Sequence, residues 1–162
     1  MIRKIEIERF SIISKKPFDE VLAAISGGVG HPNMMEFWKS TKSAQTLAEL
    51  ESVIQKFTGS AGLMQFEELD HGGIIQKDTR HKTRMLRLLI GNPLIMKEMA
   101  KRAPDAGSYA PTTVLVDERA DGVHLSYDRM ASFLAPYKNE EALEVARTLD
   151  AKIEALLLRA AS

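Results

Sequence analysis

The C-terminal segment has the pattern that most constrains the fold of this chain. Apolar side chains recur there every three or four residues, at Val145, Leu149, Ile153, Leu156 and Ala160. Asn139 precedes the stripe as an N-cap, and Glu140 and Glu141 follow Asn139 in the first turn, where the helix dipole favours carboxylates. The pattern predicts a long helix with one apolar face, and such a face has to pack against another layer of structure.

Other segments have the alternation or the apolar composition of β-strands. They cover residues 5–13, 63–69, 85–90, 112–116 and 123–127. In the first segment the alternation changes phase between Ile7 and Phe10, which predicts a bulge or twist in one long strand. Asp121 and Gly122 lie between the last two segments and predict a hairpin turn.

Helices are predicted between these strands from capping residues and from glycine and proline at the helix ends. Helices are predicted for residues 17–28, from Asn33 through a second run at 46–57, and for 94–102. Asn33 and Glu36 have the spacing of a capping box, and Asn92 with Pro93 provides an N-cap and a first helical residue. Residues 72–83 fit either a short strand or a loop. The order β, α, α, β, β, α, β, β, α predicts an α+β fold, with a mainly antiparallel sheet and helices packed on one face.

Composition excludes several classes of protein. The chain has 162 residues, 44% hydrophobic and 27% charged, as expected for a single folded domain over residues 1–162. Because 22 Lys+Arg balance 22 Asp+Glu, no net field attracts nucleic acid or anionic lipid. The absence of cysteine excludes disulfides and thiolate metal sites. No stretch reaches the roughly 18 apolar residues of a membrane span, and the N-terminus lacks the apolar core of a signal peptide. We therefore expect a cytoplasmic protein with neither nucleic acid nor membrane as partner.

Several short motifs occur in a fixed order along the chain. They are Asp70-His71 at a strand end, the run 87–93 ending in Gly91-Asn92-Pro93, Met96 and Met99 before Pro104, residues 110–116 entering a strand, and Ser126-Tyr127-Asp128 at the end of the hairpin. In this order, and over about residues 5–157, the chain resembles the bacterial domain-of-unknown-function 302 family.

The resemblance implies a TATA-binding-protein-like α+β fold and a homodimer, and it implies no established reaction and no cofactor. The chain departs from typical members at residues 28–60, which are longer than their loop between the first helix and the second strand. A pocket near this segment can therefore differ here. We do not expect this chain to bind DNA as the TATA-binding protein does, because function depends on sites rather than on folds.

One set of polar residues could form a pocket at the strand ends. The set is Asp70, His71, His124, Ser126 and Asp128. A histidine oriented by a carboxylate can act as a general base, and histidine with aspartate can bind zinc or iron. The spacing matches no established catalytic or metal-binding motif, so we predict no metal site. In the alternative interpretation, Asp70 caps a turn and His124 lies on a partly solvated sheet face.

Positive charge is concentrated in one stretch, at Lys77, Arg80, His81, Lys82, Arg84 and Arg87. This stretch suits a small anion, a nucleic acid, or a solvated loop paired with acids such as Glu67 and Glu68. No aromatic residues are interleaved for base stacking, which disfavours nucleic acid. Gly91-Asn92-Pro93 lacks the pattern of a phosphate loop, and a cap with a turn explains it.

The leading hypothesis is a protein that binds a small molecule without turnover. It is motivated by residues 112–116, which are apolar on both faces after Thr112, so that one face remains for a pocket or a subunit contact. The residues predicted to lie nearest the ligand are Asp70, His71, Asn92, Tyr109, His124 and Tyr127. Two alternatives remain: a hydrolase or isomerase with His71 as the base, and a homodimeric interaction protein.

Overall fold

The structure, a computed structural model, describes residues 2–78 and 83–162. The strands are β1 (Arg9–Ser14), β2 (Met64–Asp70), β3 (Met85–Gly91), β4 (Thr112–Arg119) and β5 (Gly122–Asp128). The α-helices are α1 (Phe18–Gly28), α2 (Met34–Ser43), α3 (Leu47–Phe57), α4 (His71–Ile75), α5 (Pro93–Ala100), α6 (Met130–Leu134) and α7 (Glu140–Ala161). Two 3₁₀ turns cover Pro104–Ser108 and Ala135–Tyr137.

The strands form one sheet in the order β1-β5-β4-β3-β2, with antiparallel neighbours throughout. β4 and β5 form the predicted hairpin, in which Val114 pairs with Tyr127 and Val116 pairs with Leu125. The α+β fold with an antiparallel sheet is therefore confirmed.

The main core lies between the sheet and α1 and α7, on the side that we call the helix face. Leu88, Val114, Leu125 and Tyr127 of the sheet are buried there. Their helical partners include Phe18, Val21 and Ile25 of α1 and Leu149, Ile153, Leu156 and Ala160 of α7. The apolar stripe predicted for the C-terminal helix therefore packs on the sheet, with Asn139 as its N-cap.

A second, smaller core joins α2 and α3 to the beginning of β2. Phe37, Ile54 and Met64 are buried in it. The predicted capping box is present, because Asn33 accepts a hydrogen bond from the Glu36 backbone N–H at 3.0 Å. Thr46 caps α3 in the same way, through the Glu49 N–H at 3.2 Å.

Two local predictions are wrong. The first strand begins at Arg9 rather than at residue 5, so the phase change between Ile7 and Phe10 lies outside it and marks no bulge. The sheet has its irregularity in β2 instead, between Gln65 and Glu67. Residues 72–83 begin inside the short helix α4, rather than as a strand or loop, because Asp70 caps its first turn. Of the basic stretch, Arg80, His81 and Lys82 lie outside the described residues.

Candidate functional site

The side of the sheet opposite the helix face presents polar side chains, and we call it the groove face. Because side chains alternate along a strand, Arg87, Thr113, Ser126 and Asp128 point away from the core formed by their neighbours. The register places Leu115 of this face between Arg87 on one side and Ser126 on the other. Residues from three strands therefore meet on one surface.

Arg87 is the exposed cation at the centre of this surface. Its Nε and Nη2 atoms donate to the Thr113 hydroxyl at 3.3 and 3.0 Å. Within the described residues, no carboxylate forms an ion pair with its guanidinium. A guanidinium held by a neutral hydroxyl keeps donors free for a carboxylate or phosphate.

Arg9 differs from Arg87 because its charge is already neutralised. Its Nε and Nη2 atoms donate to the two oxygens of Asp128 at 2.6 and 2.8 Å, which is the bidentate geometry of a strong pair. The hydrogen bond with Asp128, followed by its charge, raises the pKa of Arg9. The pair therefore forms a fixed, nearly neutral edge of the surface.

Two hollows open on this face on either side of Arg87. One has a volume of about 330 Å³ and is lined by residues that include Ser108, Tyr109 and Phe133. The other has a volume of about 210 Å³ and is lined by residues that include Arg9, His71 and Ser126. Both hollows are bordered by Arg87, Thr113 and Asp128. We call the two hollows together the Arg87 groove.

An aromatic wall closes one end of the Arg87 groove. The rings of Tyr109 and Phe133 are stacked, with centroids 4.8 Å apart and planes at 19°. The Tyr109 hydroxyl lies 2.9 Å from the Tyr137 hydroxyl. This hydrogen bond, together with burial, raises the pKa of Tyr109 to about 12, so the phenol is neutral at ordinary pH. The groove thus combines a flat apolar wall with a nearby cation.

Three residues predicted from the sequence lie at or beside this groove. His71 and Tyr109 line it. Asp70 accepts a hydrogen bond from the Gly73 N–H at 2.7 Å and caps α4, which is the turn-capping role given as the alternative. Asp70 therefore positions the helix that carries His71.

The side chains of the other three predicted residues lie elsewhere. Asn92 caps α5 by accepting from the Leu94 N–H at 2.8 Å. His124 lies on the groove face, but its Nε2 atom is 2.8 Å from Asp121 at the hairpin turn, and this contact lowers the pKa of Asp121. Tyr127 borders the smaller hollow, but its side chain is buried and its hydroxyl donates to Asp150 on the helix face.

Tyr127 belongs to a buried polar network around Asp150, a fully buried carboxylate of α7. Asp150 accepts from the Tyr127 hydroxyl at 2.6 Å and from the backbone N–H groups of Met130 and Ala131 at 2.7 and 3.1 Å. It therefore caps α6 from a distant helix. Burial, followed by the charge of Asp150, raises the pKa of Tyr127. The network has a structural role, and Asp150 at its centre lies on the helix face, on the opposite side of the sheet from Arg87.

The residues at the centre of the groove were not among those predicted to lie nearest a ligand. In the sequence, Arg87 belongs to the basic stretch and to the motif run 87–93, and Thr113 belongs to the motif run 110–116. Neither of them, nor Phe133, is among the residues predicted to lie nearest the ligand. One signal in the sequence points to Arg87, because it is the single charged residue of the strand Met85–Gly91. A long charged side chain in such a strand lies at the sheet surface or in a site.

Residues 2–78 and 83–162 contain neither a membrane-spanning helix nor a cluster of metal ligands. None of the helices there combines the length and the apolar character that a membrane span requires. No group of three or more His, Asp or Glu side chains in the same ranges converges as metal ligands would.

The fold and the groove define an α+β protein whose antiparallel sheet is packed by helices on one face and holds a basic hollow on the other. Residues 38–159 match the family model described as "Domain of unknown function DUF302". The chain therefore belongs to the DUF302 family. The crystal structure of an uncharacterized conserved protein DUF302 from Bacillus stearothermophilus is similar, with a TM-score of 0.66 and 12% sequence identity over 93% of this chain and 96% of that one. No curated protein matches the chain.

Proposed function

We propose that this protein binds a small organic anion in the Arg87 groove without chemical turnover. The observation that carries the proposal is the Arg87 guanidinium, which borders both hollows and is held by Thr113 rather than by an acid. Binding sites of this kind combine apolar walls with a few polar groups that fix the orientation of the ligand. Tyr109 and Phe133 provide the wall, and Arg87 provides the group that recognises a carboxylate.

The balance of charge in the groove supports an anionic ligand. Its charged residues are Arg87, Arg9 and Asp128, and the last two neutralise each other. One uncompensated positive charge therefore remains. An aromatic carboxylate fits both features, because its ring can lie against the aromatic wall while its two oxygens accept from one guanidinium.

The absence of a catalytic arrangement supports binding over turnover. The ring of His71 makes no hydrogen bond within the described residues, and Asp70, its neighbour in sequence, accepts a hydrogen bond from the Gly73 N–H instead of orienting that ring. A general base of the triad type needs a group that orients its ring. We therefore rank the hydrolase or isomerase below binding. The homodimer and the cytoplasmic location stay predictions.

Calorimetric titration with benzoate tests the proposal. We expect saturable binding of one benzoate per chain, weakened at least about tenfold in Arg87→Gln, because a charge-assisted hydrogen bond contributes about 1.5–3 kcal/mol. Arg147→Gln is the matched control, since Arg147 is also exposed but is paired with Glu140 and Glu144 on α7. Equal benzoate affinity in the wild type and Arg87→Gln would contradict the proposal.

A second readout separates binding from turnover. Proton NMR of a set of aromatic carboxylate esters, incubated with the protein, is expected to show no loss of ester over the incubation. Hydrolysis that disappears in His71→Ala would instead support the histidine-dependent enzyme, and it would overturn binding without turnover.

A further inference from the structure

A third hollow lies where α2 approaches the end of β3 and the beginning of α5, and it shares Pro111 and Thr112 with the larger hollow of the Arg87 groove. Its volume is about 180 Å³, and we call it the Trp38 pocket. Its wall is formed mostly by large apolar side chains, among them Trp38, Phe66, Met96, Met99, Pro111 and Leu149. None of the residues that line it is charged.

Trp38 is held at the pocket although half of its surface is exposed. It is the only tryptophan of the chain, and it is 49% exposed on α2. Its ring meets the buried ring of Phe37 edge-on, with centroids 4.9 Å apart. Phe37 also contacts Phe66 edge-on at 6.3 Å. Because Phe37 and Phe66 are fixed by the second core, the ring of Trp38 has a defined place at the wall rather than a free surface position.

The polar side chains at the wall already make hydrogen bonds within the protein. Asn92 donates to the Gly62 carbonyl at 2.9 Å and accepts from the Leu94 N–H. Thr112 donates to the Ile90 carbonyl at 2.7 Å. A charged ligand would lose its hydration here without gaining an ionic partner, so the pocket excludes anions such as those that suit the Arg87 groove.

The volume and the lining of the Trp38 pocket favour one class of neutral molecule, a single aromatic ring. A cavity of about 150 Å³ lined by apolar side chains can bind benzene, and the Trp38 pocket is of that size. The indole and phenyl rings favour edge or offset contacts with another ring, and thioethers such as those of Met96 and Met99 favour ring edges. We propose that the Trp38 pocket is a binding site for a neutral, single-ring aromatic molecule, a different class of ligand from the anion proposed for the Arg87 groove.

Trp38 provides the measurement, and toluene is the probe. We expect the fluorescence of Trp38 to change with added toluene along a saturating curve of one site per chain. In methyl NMR of the methionines, the signal of Met96 is expected to shift, while that of Met35, which is 84% exposed on the same helix as Trp38, stays in place. A fluorescence change that rises linearly with toluene and leaves Met96 unshifted would overturn the proposal.

Two variants locate the site. A Cβ at Gly91 would lie 3.5 Å from Pro111 Cβ and 3.7 Å from Phe66 Cε2, which is ordinary contact, so the β-carbon of Gly91→Val fits and its two methyl groups add volume at the pocket wall. We expect it to weaken toluene binding at least about tenfold, since one methylene of misfit in an apolar pocket costs about 10–200-fold. Met96→Gln, which preserves the side-chain length and makes it polar, repeats the test if Gly91→Val does not fold.

Matched controls keep the two proposals distinguishable. Met35→Gln makes the same change as Met96→Gln outside the pocket, and it is expected to leave toluene binding unchanged. Arg87→Gln is expected to weaken benzoate and to leave toluene unchanged, because the neutral probe does not need the guanidinium. Equal toluene affinity in the wild type and in both pocket variants would overturn the site.

Discussion

Asp128 and Asp150 are both aspartates beside an arginine, but they lie on opposite sides of the same sheet. On the groove face, Asp128 pairs with Arg9, and their side chains are 29% and 63% exposed. On the helix face, Asp150 is fully buried, and Arg129 lies 3.8 Å away with a closer contact to Glu154 at 2.9 Å. Asp150 depends mainly on the hydroxyl and the two N–H groups that it accepts from, whereas Asp128 depends on water and one arginine.

The contrast indicates which polar groups keep unused hydrogen-bonding capacity. A buried carboxylate has to use its hydrogen-bonding capacity within the protein, because an unpaired polar group costs free energy. The oxygens of Asp150 are used in this way. On the groove face water can replace a missing partner, so Arg87 can keep donors unused at little cost. We therefore expect Asp150 to stabilise the fold and Arg87 to contribute little to its stability.

Asp150→Ala is the strongest test of this division. The substitution leaves the Tyr127 hydroxyl and the Met130 and Ala131 N–H groups without their acceptor. We expect the free energy of unfolding in urea to fall by about 3–5 kcal/mol, the usual cost of breaking a buried charged network. Asp128→Ala is the matched control and is expected to cost less than about 1 kcal/mol. Equal losses in the two variants would remove the distinction between the faces.

Tyr127→Phe is expected to have the next largest effect. It removes only the hydroxyl that donates to Asp150 at 2.6 Å and keeps the buried ring. The free energy of unfolding should fall by about 1.5–3 kcal/mol, because the lost hydrogen bond involves a charged acceptor. Tyr109→Phe removes a hydroxyl whose partner is another phenol, Tyr137, rather than a carboxylate, and we expect it to cost about 1 kcal/mol or less. A larger loss in Tyr109→Phe would reverse the comparison.

Alkaline pH sharpens the same comparison through the raised pKa of Tyr127. In the unfolded chain this phenol loses its proton near pH 10.0, whereas in the folded chain burial and Asp150 preserve the proton. Its contribution to stability is therefore complete below about pH 10 and is lost as pH rises further, by up to about 1.4 kcal/mol per pH unit. Unfolding in urea between pH 8 and 11 should show a shallower decline in Tyr127→Phe than in the wild type. Parallel declines would contradict this origin.

Whether a contact is predictable from the sequence depends on how far apart its two residues lie in the chain. Asn33, Asn92 and Asn139 are correctly predicted as caps, because each accepts a hydrogen bond from an N–H group only two or three residues further along the chain. The Arg87–Thr113 contact joins residues 26 apart across two strands, and the Tyr127–Asp150 contact joins residues 23 apart. No local pattern reveals either partner.

The alternation of side chains along a strand contains information that the predicted set of ligand-contact residues does not use fully. Val123, Leu125 and Tyr127 share the buried face of β5, while His124 and Ser126 share the other. This pattern already separates the side chain of Tyr127 from the polar side chains of its own strand, so the Tyr127 hydroxyl is not expected beside them. The face of a residue is predictable from its strand, but the residues that meet it across the sheet follow from the register.

Arg87→Gln is the smallest expected change in stability and the sharpest test of the groove face. The guanidinium contacts only the Thr113 hydroxyl among the hydrogen bonds of the described residues, and Arg87 is exposed. We expect the free energy of unfolding to change by less than about 0.5 kcal/mol, as at most surface positions, while benzoate binding weakens at least about tenfold. Urea unfolding and calorimetry on the same sample measure both quantities. A loss of several kcal/mol would show that Arg87 supports the fold as Asp150 does, and that a polar group on this face is no evidence of a binding site.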